Sequence, residues 1–240
     1  MWRSCHCSEA GTTRTFVLMH TQIALFDGVD PLDAIAPYEV LWAAGSLSDG
    51  LATVELVSAE GARPVVSGSG GLVLQATAAL DPSAADVVVV PGAAGRVGDP
   101  DGDDQEEADD TITVRLARTL GTDLPRLIGE ALADPAVIVA CICGGALIPA
   151  MAGLIEGRPA VTHHLGMDLL DATGTTAVAA RVVDDGDLIT SGGVTSGLDV
   201  ALHLVERFVG PQIAHAVESL FEFERRGVVW RPTGPIPVAP

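Results

Sequence analysis

The chain has 240 residues, of which 48% are hydrophobic and 19% charged, enough apolar material for the core of one large α/β domain. Its formal net charge of -19 argues against nucleic acid and anionic membranes as partners, since both require a basic face. All 13 basic residues are arginine, which excludes Schiff-base, pyridoxal-phosphate and Walker-type lysine chemistry.

Residues 1–18 read as a polar leader, a disordered arm or the product of an upstream start codon. Within it, Cys5-His6-Cys7 falls short of the four ligands and finger-like spacing of a structural zinc site, so no metal is expected. The leader has no apolar h-region and is not a secretory signal. No apolar run approaches the roughly 18 residues of a membrane span. A cytoplasmic, reducing location follows as the expectation, with the cysteines as thiols.

A domain over 19–226 begins at Met19. Ile23–Phe26 is a short apolar strand closed by Asp27-Gly28. Asp33 precedes an apolar helical stretch as its expected N-cap, with Pro37 in the first turn. Thr53–Ser58 is a strand. Asp86–Val90 is a continuous apolar run closed by Pro91-Gly92, the pattern of a parallel strand buried on both faces. An acidic insertion follows over about 96–112, with eight acids and no base between Asp99 and Asp110; such a block reads as a solvated loop. Val137–Cys141 is a second buried strand, Ala146–Ile155 a helix, and Arg181–Thr190 a hairpin turning at Asp185-Gly186. Val194–Phe208 and Pro211–Glu224 are amphipathic helices. A Pro-rich tail, 227–240, wraps the surface or a partner. Strands separated by helices imply parallel pairing and a three-layer sandwich.

The segment Ala136–Ile155 carries the chemistry. A buried strand reaches Cys141, Gly144-Gly145 supply a tight turn, and Cys143 sits between them at the start of a helix. That is the geometry of a nucleophile elbow, with the reactive atom held above the carboxyl edge of the sheet. Helix N–H groups at that point favour a thiolate. The alternative is a buried cysteine acting as a small hydrophobe, a description that suits Cys141 better.

Cys143-Gly144-Gly145-Ala146 resembles the Cys-Thr-Gly-Ala elbow of the ThiJ/PfpI superfamily. Phe26–Asp33 followed by Pro37-Tyr38-Glu39-Val40, then Pro91–Gly95, Ala160–His163 and Ser191–Asp199 resemble further segments of its isonitrile hydratase-like branch, in the same order. The resemblance covers about residues 22–224. It implies a flavodoxin-like fold with a mostly parallel sheet, usually a homodimer, a small-molecule substrate and no cofactor. By position it makes Asp33 the acidic partner of Cys143 and a proton donor, and it places oxyanion-binding N–H groups at Ala93 and Gly144. His163 is a possible auxiliary acid or base, a satisfied strand-end histidine being the alternative; Glu39 is read as solvated or at a dimer rim. Gly144 stands where isonitrile hydratases carry a threonine. Three readings of function follow: a cofactor-free lyase converting an isonitrile to an N-substituted formamide, a glyoxalase- or hydrolase-like enzyme acting on a carbonyl with His163 as proton shuttle, and a non-catalytic redox-sensing or ligand-binding module.

Overall fold

The computed structural model describes residues 4–6, 15–98 and 111–235, with backbone alone for 4–6 and 15–17. In the leader, β1 (Ser4–His6) and β2 (Thr15–Val17) pair as an antiparallel ribbon. Thr15, Phe16 and Val17 are strand formers, so this short piece takes regular structure where none was expected. The side chains of Cys5 and His6, and all of Cys7, lie outside the described residues. Among those described, no three His, Cys, Asp or Glu side chains cluster so as to hold a metal ion.

The domain begins with β3 (Met19–Leu25), buried along nearly its whole length, and α1 (Pro31–Leu47). The helix starts earlier than the sequence suggested. Asp30, not Asp33, is its N-cap, accepting the N–H of Leu32 at 2.9 Å, and Pro31 occupies N1, where its missing N–H costs nothing. Pro37 is consequently inside the helix rather than in its first turn. With Asp30 as the cap, the Asp33 side chain is free of capping and lies buried.

Next come β4 (Ala52–Ser58), the hairpin β5 (Arg63–Val66) and β6 (Val73–Ala76), β7 (Ala78–Ala79), and β8 (Val87–Val90). Beyond the acidic segment, whose residues 99–110 lie outside the description, α2 (Ile112–Thr119) and α3 (Leu124–Ala133) lead into β9 (Ile138–Cys141). A single 3₁₀ turn over Cys143–Ala146 connects to α4 (Leu147–Met151). This helix is much shorter than the stretch to Ile155 expected from sequence, and it stops before Gly153, whose φ of 71° is left-handed. β10 (Pro159–Ala160), α5 (Met167–Ala172), β11 (Thr176–Ala177), β12 (Val182–Asp184), β13 (Leu188–Ser191), α6 (Ser196–Phe208) and α7 (Pro211–Phe221) complete the order.

Seven strands form one sheet in the order β12-β13-β9-β8-β3-β4-β7. Every pairing is parallel except β12 with β13, the hairpin anticipated around Asp185-Gly186. Helices α1, α6 and α7 pack together as one group, and α2, α3, α4 and α5 associate as another. β8 and β9 are buried on every residue, with Val90 in register with Cys141, which is why both read as unbroken apolar runs. After β3 the chain goes first to β4 on one side and later to β8 on the other. The loops after β3, β8 and β9 therefore open over one switch point, where open α/β sheets place their sites. The tail beyond α7 returns to the sheet: Trp230 donates to Val182 O at 2.9 Å and accepts from Asp184 N–H at 2.8 Å. No helix among the described residues is long and apolar enough to cross a membrane.

Candidate active site

Three loops build the site. Cys143 follows β9 with φ of 53°, a left-handed conformation that is uncommon for a non-glycine residue and costs on the order of 1–3 kcal/mol. Glycines make the turn possible. A Cβ on Gly145 would lie 2.1 Å from Val90 O, and one on Gly92 would lie 2.7 Å from Gly144 N and 2.8 Å from Asp33 Oδ2. The backbones of the β8 and β9 loops thus touch directly, and any side chain at either position would force them apart.

Asp33 is fully buried in the first turn of α1. Its Oδ2 accepts the N–H of Gly92 at 2.9 Å, while its buried Oδ1 has no hydrogen-bond partner among the described residues. Burial, and then the negative charge of Asp30, push its carboxyl up to about 8, against the pull of the Gly92 N–H and the Cys143 thiol. The thiol of Cys143 is also pushed up, by burial first and the Asp33 charge second, with the N–H of Gly144 opposing. The thiolate expected from a helix terminus is therefore not the resting form. One 3₁₀ turn and a helix of five residues supply too little aligned dipole to outweigh burial beside a carboxyl group. The thiol and the carboxyl form a coupled dyad held largely neutral near pH 7. Cys141, inside the strand, is pushed up to about 12 by burial alone.

A cavity of about 370 Å³ opens above Cys143. Gly144 and Ala93 line it, and among the described residues the N–H of Ala93 donates to no acceptor. His163 lines it too, with Nδ1 accepting from Leu165 N–H at 3.2 Å. In the neutral ring that leaves the proton on Nε2. Burial and then the neighbouring His164 lower the His163 pKa, so neutral is the favoured form. Most of the remaining wall is apolar, including Ile112, Leu116, Leu147, Leu169 and Val194; Asp30 and Arg96 are its charged members. Glu39 is exposed on α1 and takes no part in the lining.

Two contributors were not legible beforehand. Leu116 from α2 fills the space above Gly144: a Cβ on that glycine would lie 3.1 Å from Leu116 Cδ1. The missing threonine is thus replaced by a leucine from a helix more than twenty residues earlier in the chain, which no local motif signals. Thr162, inside the Ala160–His163 segment already singled out, donates from Oγ1 to the carbonyl of Cys143 at 2.8 Å.

Comparison with known proteins agrees with this architecture. The DJ-1/PfpI family profile matches residues 124–207. The chain is 35% identical to an isonitrile hydratase of Pseudomonas putida over 199 residues, 83% of this chain and 76% of that one. It is 28% identical to the protein DJ-1 homolog A of Arabidopsis thaliana, over 82% of this chain but 45% of the longer plant protein. Among solved structures, a ThiJ/PfpI family protein from Pseudomonas syringae superposes with a TM-score of 0.67 at 24% identity, covering 87% of this chain and 76% of that one, a likeness of fold alone. With a flavodoxin-like sheet, a cysteine elbow at its switch point and a relative this similar over most of both lengths, the chain belongs to the DJ-1/PfpI family.

Proposed function

We propose that the protein hydrates an isonitrile with an apolar substituent to the N-substituted formamide, using Cys143 as nucleophile and Asp33 as proton shuttle. The observation that carries this is the buried Asp33 carboxyl, whose Oδ1 has no hydrogen-bond partner among the described residues, acting on a neutral Cys143 thiol that lines a largely apolar cavity. Such a dyad suits a neutral substrate whose carbon must receive both a sulfur and a proton.

The step balances without any cofactor. As the sulfur bonds to the terminal isonitrile carbon, the protonated Asp33 carboxyl delivers its proton to that carbon and the thiol proton replaces it on the carboxyl, giving a thioformimidate. Water adds to its C=N bond with a proton going to nitrogen. The tetrahedral adduct then expels the Cys143 sulfur, which recovers its proton, and the formamide leaves. On this reading the N–H groups of Ala93 and Gly144, both residues of the cavity lining, stabilise negative charge on the adduct oxygen. The 35% identity to an isonitrile hydratase supports the same reading.

A second reading draws on His163, a residue of the same cavity lining, whose Nε2–H would offer a proton to a carbonyl oxygen. On that reading the same cysteine acts on an α-oxoaldehyde. The test is direct: wild type and Cys143→Ala are assayed with a panel of alkyl and aryl isonitriles and with α-oxoaldehydes. Formamide production that falls to the uncatalysed background in Cys143→Ala is expected. Turnover of the α-oxoaldehydes alone would move the second reading ahead.

A further inference from the structure

Thr162 does not line the cavity, yet it is bound to the residue that does the chemistry. Both it and Cys143 are buried, and its hydroxyl donates to the Cys143 carbonyl at 2.8 Å. Among the described residues no peptide bond is cis, so the carbonyl of Cys143 and the N–H of Gly144 project from opposite edges of one rigid trans plate. Fixing the oxygen fixes the direction of the N–H. That N–H adjoins the Cys143 side chain and is the backbone group that favours charge on its sulfur. The plate also follows a residue with φ of 53°, so rotation of this peptide is the motion that would let the turn relax.

We propose that Thr162 is a positioning residue of this site: its hydroxyl anchors the Cys143–Gly144 peptide so that the Gly144 N–H stays aimed at the sulfur and at charge developing beside it. The inference rests on Cys143 being the reacting group and not on which substrate reacts. Its methyl group has a separate packing role, lying 3.2 Å from where a Cβ on Gly166 would sit. The two roles are separable because valine keeps the branch and loses the hydroxyl.

The groups acting on the sulfur are few. Asp33 faces it from α1 and Asp30 from the residue before α1, both opposing its ionisation, while the Gly144 N–H favours it. His163 and Arg96 are the other ionisable members of the shared cavity. Removing the Thr162 hydroxyl leaves all of these side chains in place and disturbs one backbone donor.

The experiment measures iodoacetamide alkylation of the full chain between about pH 6 and 10, with the modified cysteine assigned by peptide mass. Wild type, Thr162→Val, Thr162→Ala and Thr162→Ser are compared, with thermal melts of each. In Thr162→Val, alkylation of Cys143 is expected to slow about tenfold near neutral pH and its profile to move to higher pH by up to about one unit, the worth of one hydrogen bond to a charged group. Thr162→Ser is expected to keep the wild-type profile. If Val does not fold, the Ala and Ser pair carries the same comparison. A Val or Ala profile that superimposes on the wild type, or a Ser variant as slow as Val, overturns the inference even where melting temperatures fall. A wild-type Cys143 that never alkylates is a different failure, which removes the nucleophile and this role with it.

Discussion

Two buried aspartates are treated in opposite ways. Asp33 is fully buried, receives a single backbone N–H and has its carboxyl raised to about 8. Asp184, in β12, is 5% exposed, and every oxygen of it is occupied. Its Oδ2 binds His203 Nε2 at 2.9 Å and Arg231 Nε at 3.1 Å, and its Oδ1 accepts from Gly186 N–H at 3.0 Å and from Arg207 at 3.5 Å. Although burial pushes the Asp184 carboxyl upward, these partners, led by His203, hold it well below the usual carboxylate range. One acid is kept hungry for a proton and the other is locked as an anion. Asp33 is the more deeply buried of the two and has one backbone donor, whereas the several donors around Asp184 outweigh its burial.

The comparison breaks most visibly at Asp33. Asp33→Asn is expected to cut formamide turnover roughly 10²–10⁴-fold, the usual worth of a placed acid or base. Its effect on stability runs the other way. Because the folded carboxyl titrates near 8 and the unfolded one near 3.8, the folded state loses stability progressively as pH rises through that window. The variant should lack this slope and melt higher than wild type at pH 8.5 while matching it near pH 4. Wild-type turnover should fall between about pH 7 and 9 as the Asp33 carboxyl loses the proton it delivers. A turnover rate flat across that range would dismiss the shared-proton account.

At Asp184 the prediction inverts. Asp184→Asn should destabilise the fold at neutral pH, at the low end of the roughly 3–5 kcal/mol typical of a broken buried ion pair, because Arg207 and Arg231 are partly exposed. Turnover per folded molecule should stay near wild type. The stabilisation from Asp184 is complete above its unfolded value of 3.8 and is lost as pH falls below it, so acid melts of wild type and variant should converge. Variants with equal melting temperatures at pH 7 would show that the partners contribute nothing net.

The smallest effect tests the cavity wall. Gly144→Ala places a methyl 3.1 Å from Leu116 Cδ1, a side-chain tip able to shift by a few tenths of an ångström. A loss of about two- to fivefold in kcat/KM for bulky isonitriles is expected. Leu116→Val should recover part of it, with a coupling of about 0.5–1 kcal/mol in a double-mutant cycle. Strict additivity would mean that the two positions do not share the space.

Sequence reasoning succeeded where one residue type repeats a single message. Val87–Val90 and Ile138–Cys141 are buried on both faces and admit no reading but strand. The elbow was legible because Gly144-Gly145 can only be a tight turn after such a strand. The β5–β6 hairpin was missed because Pro64 interrupts it and half of its residues are exposed, Val66 and Val73 among them, so apolar and polar residues do not alternate cleanly. Helix α2 hid behind the acidic block and its threonines. The Asp30-Pro31 pair is itself an N-cap signature, and reading it would have placed the helix start correctly. Asp33 as a proton donor came with the family resemblance, but the neutral resting thiol of Cys143 was beyond reach, since it depends on how deeply the two side chains are buried together. Thr162 sat in a recognised segment, but its role depends on a partner nineteen residues away.

The return of the tail to β12 has a consequence for solubility. β12 is the last strand of the sheet on that side, and an open strand edge is a template for a second chain to add by backbone hydrogen bonds. Trp230 occupies two of those bonding positions, and Arg231 fastens the same stretch to Asp184. The tail is in effect a stopper against strand-by-strand polymerisation, so a chain trimmed before Gly227 faces its greatest hazard in concentrated solution rather than at Cys143.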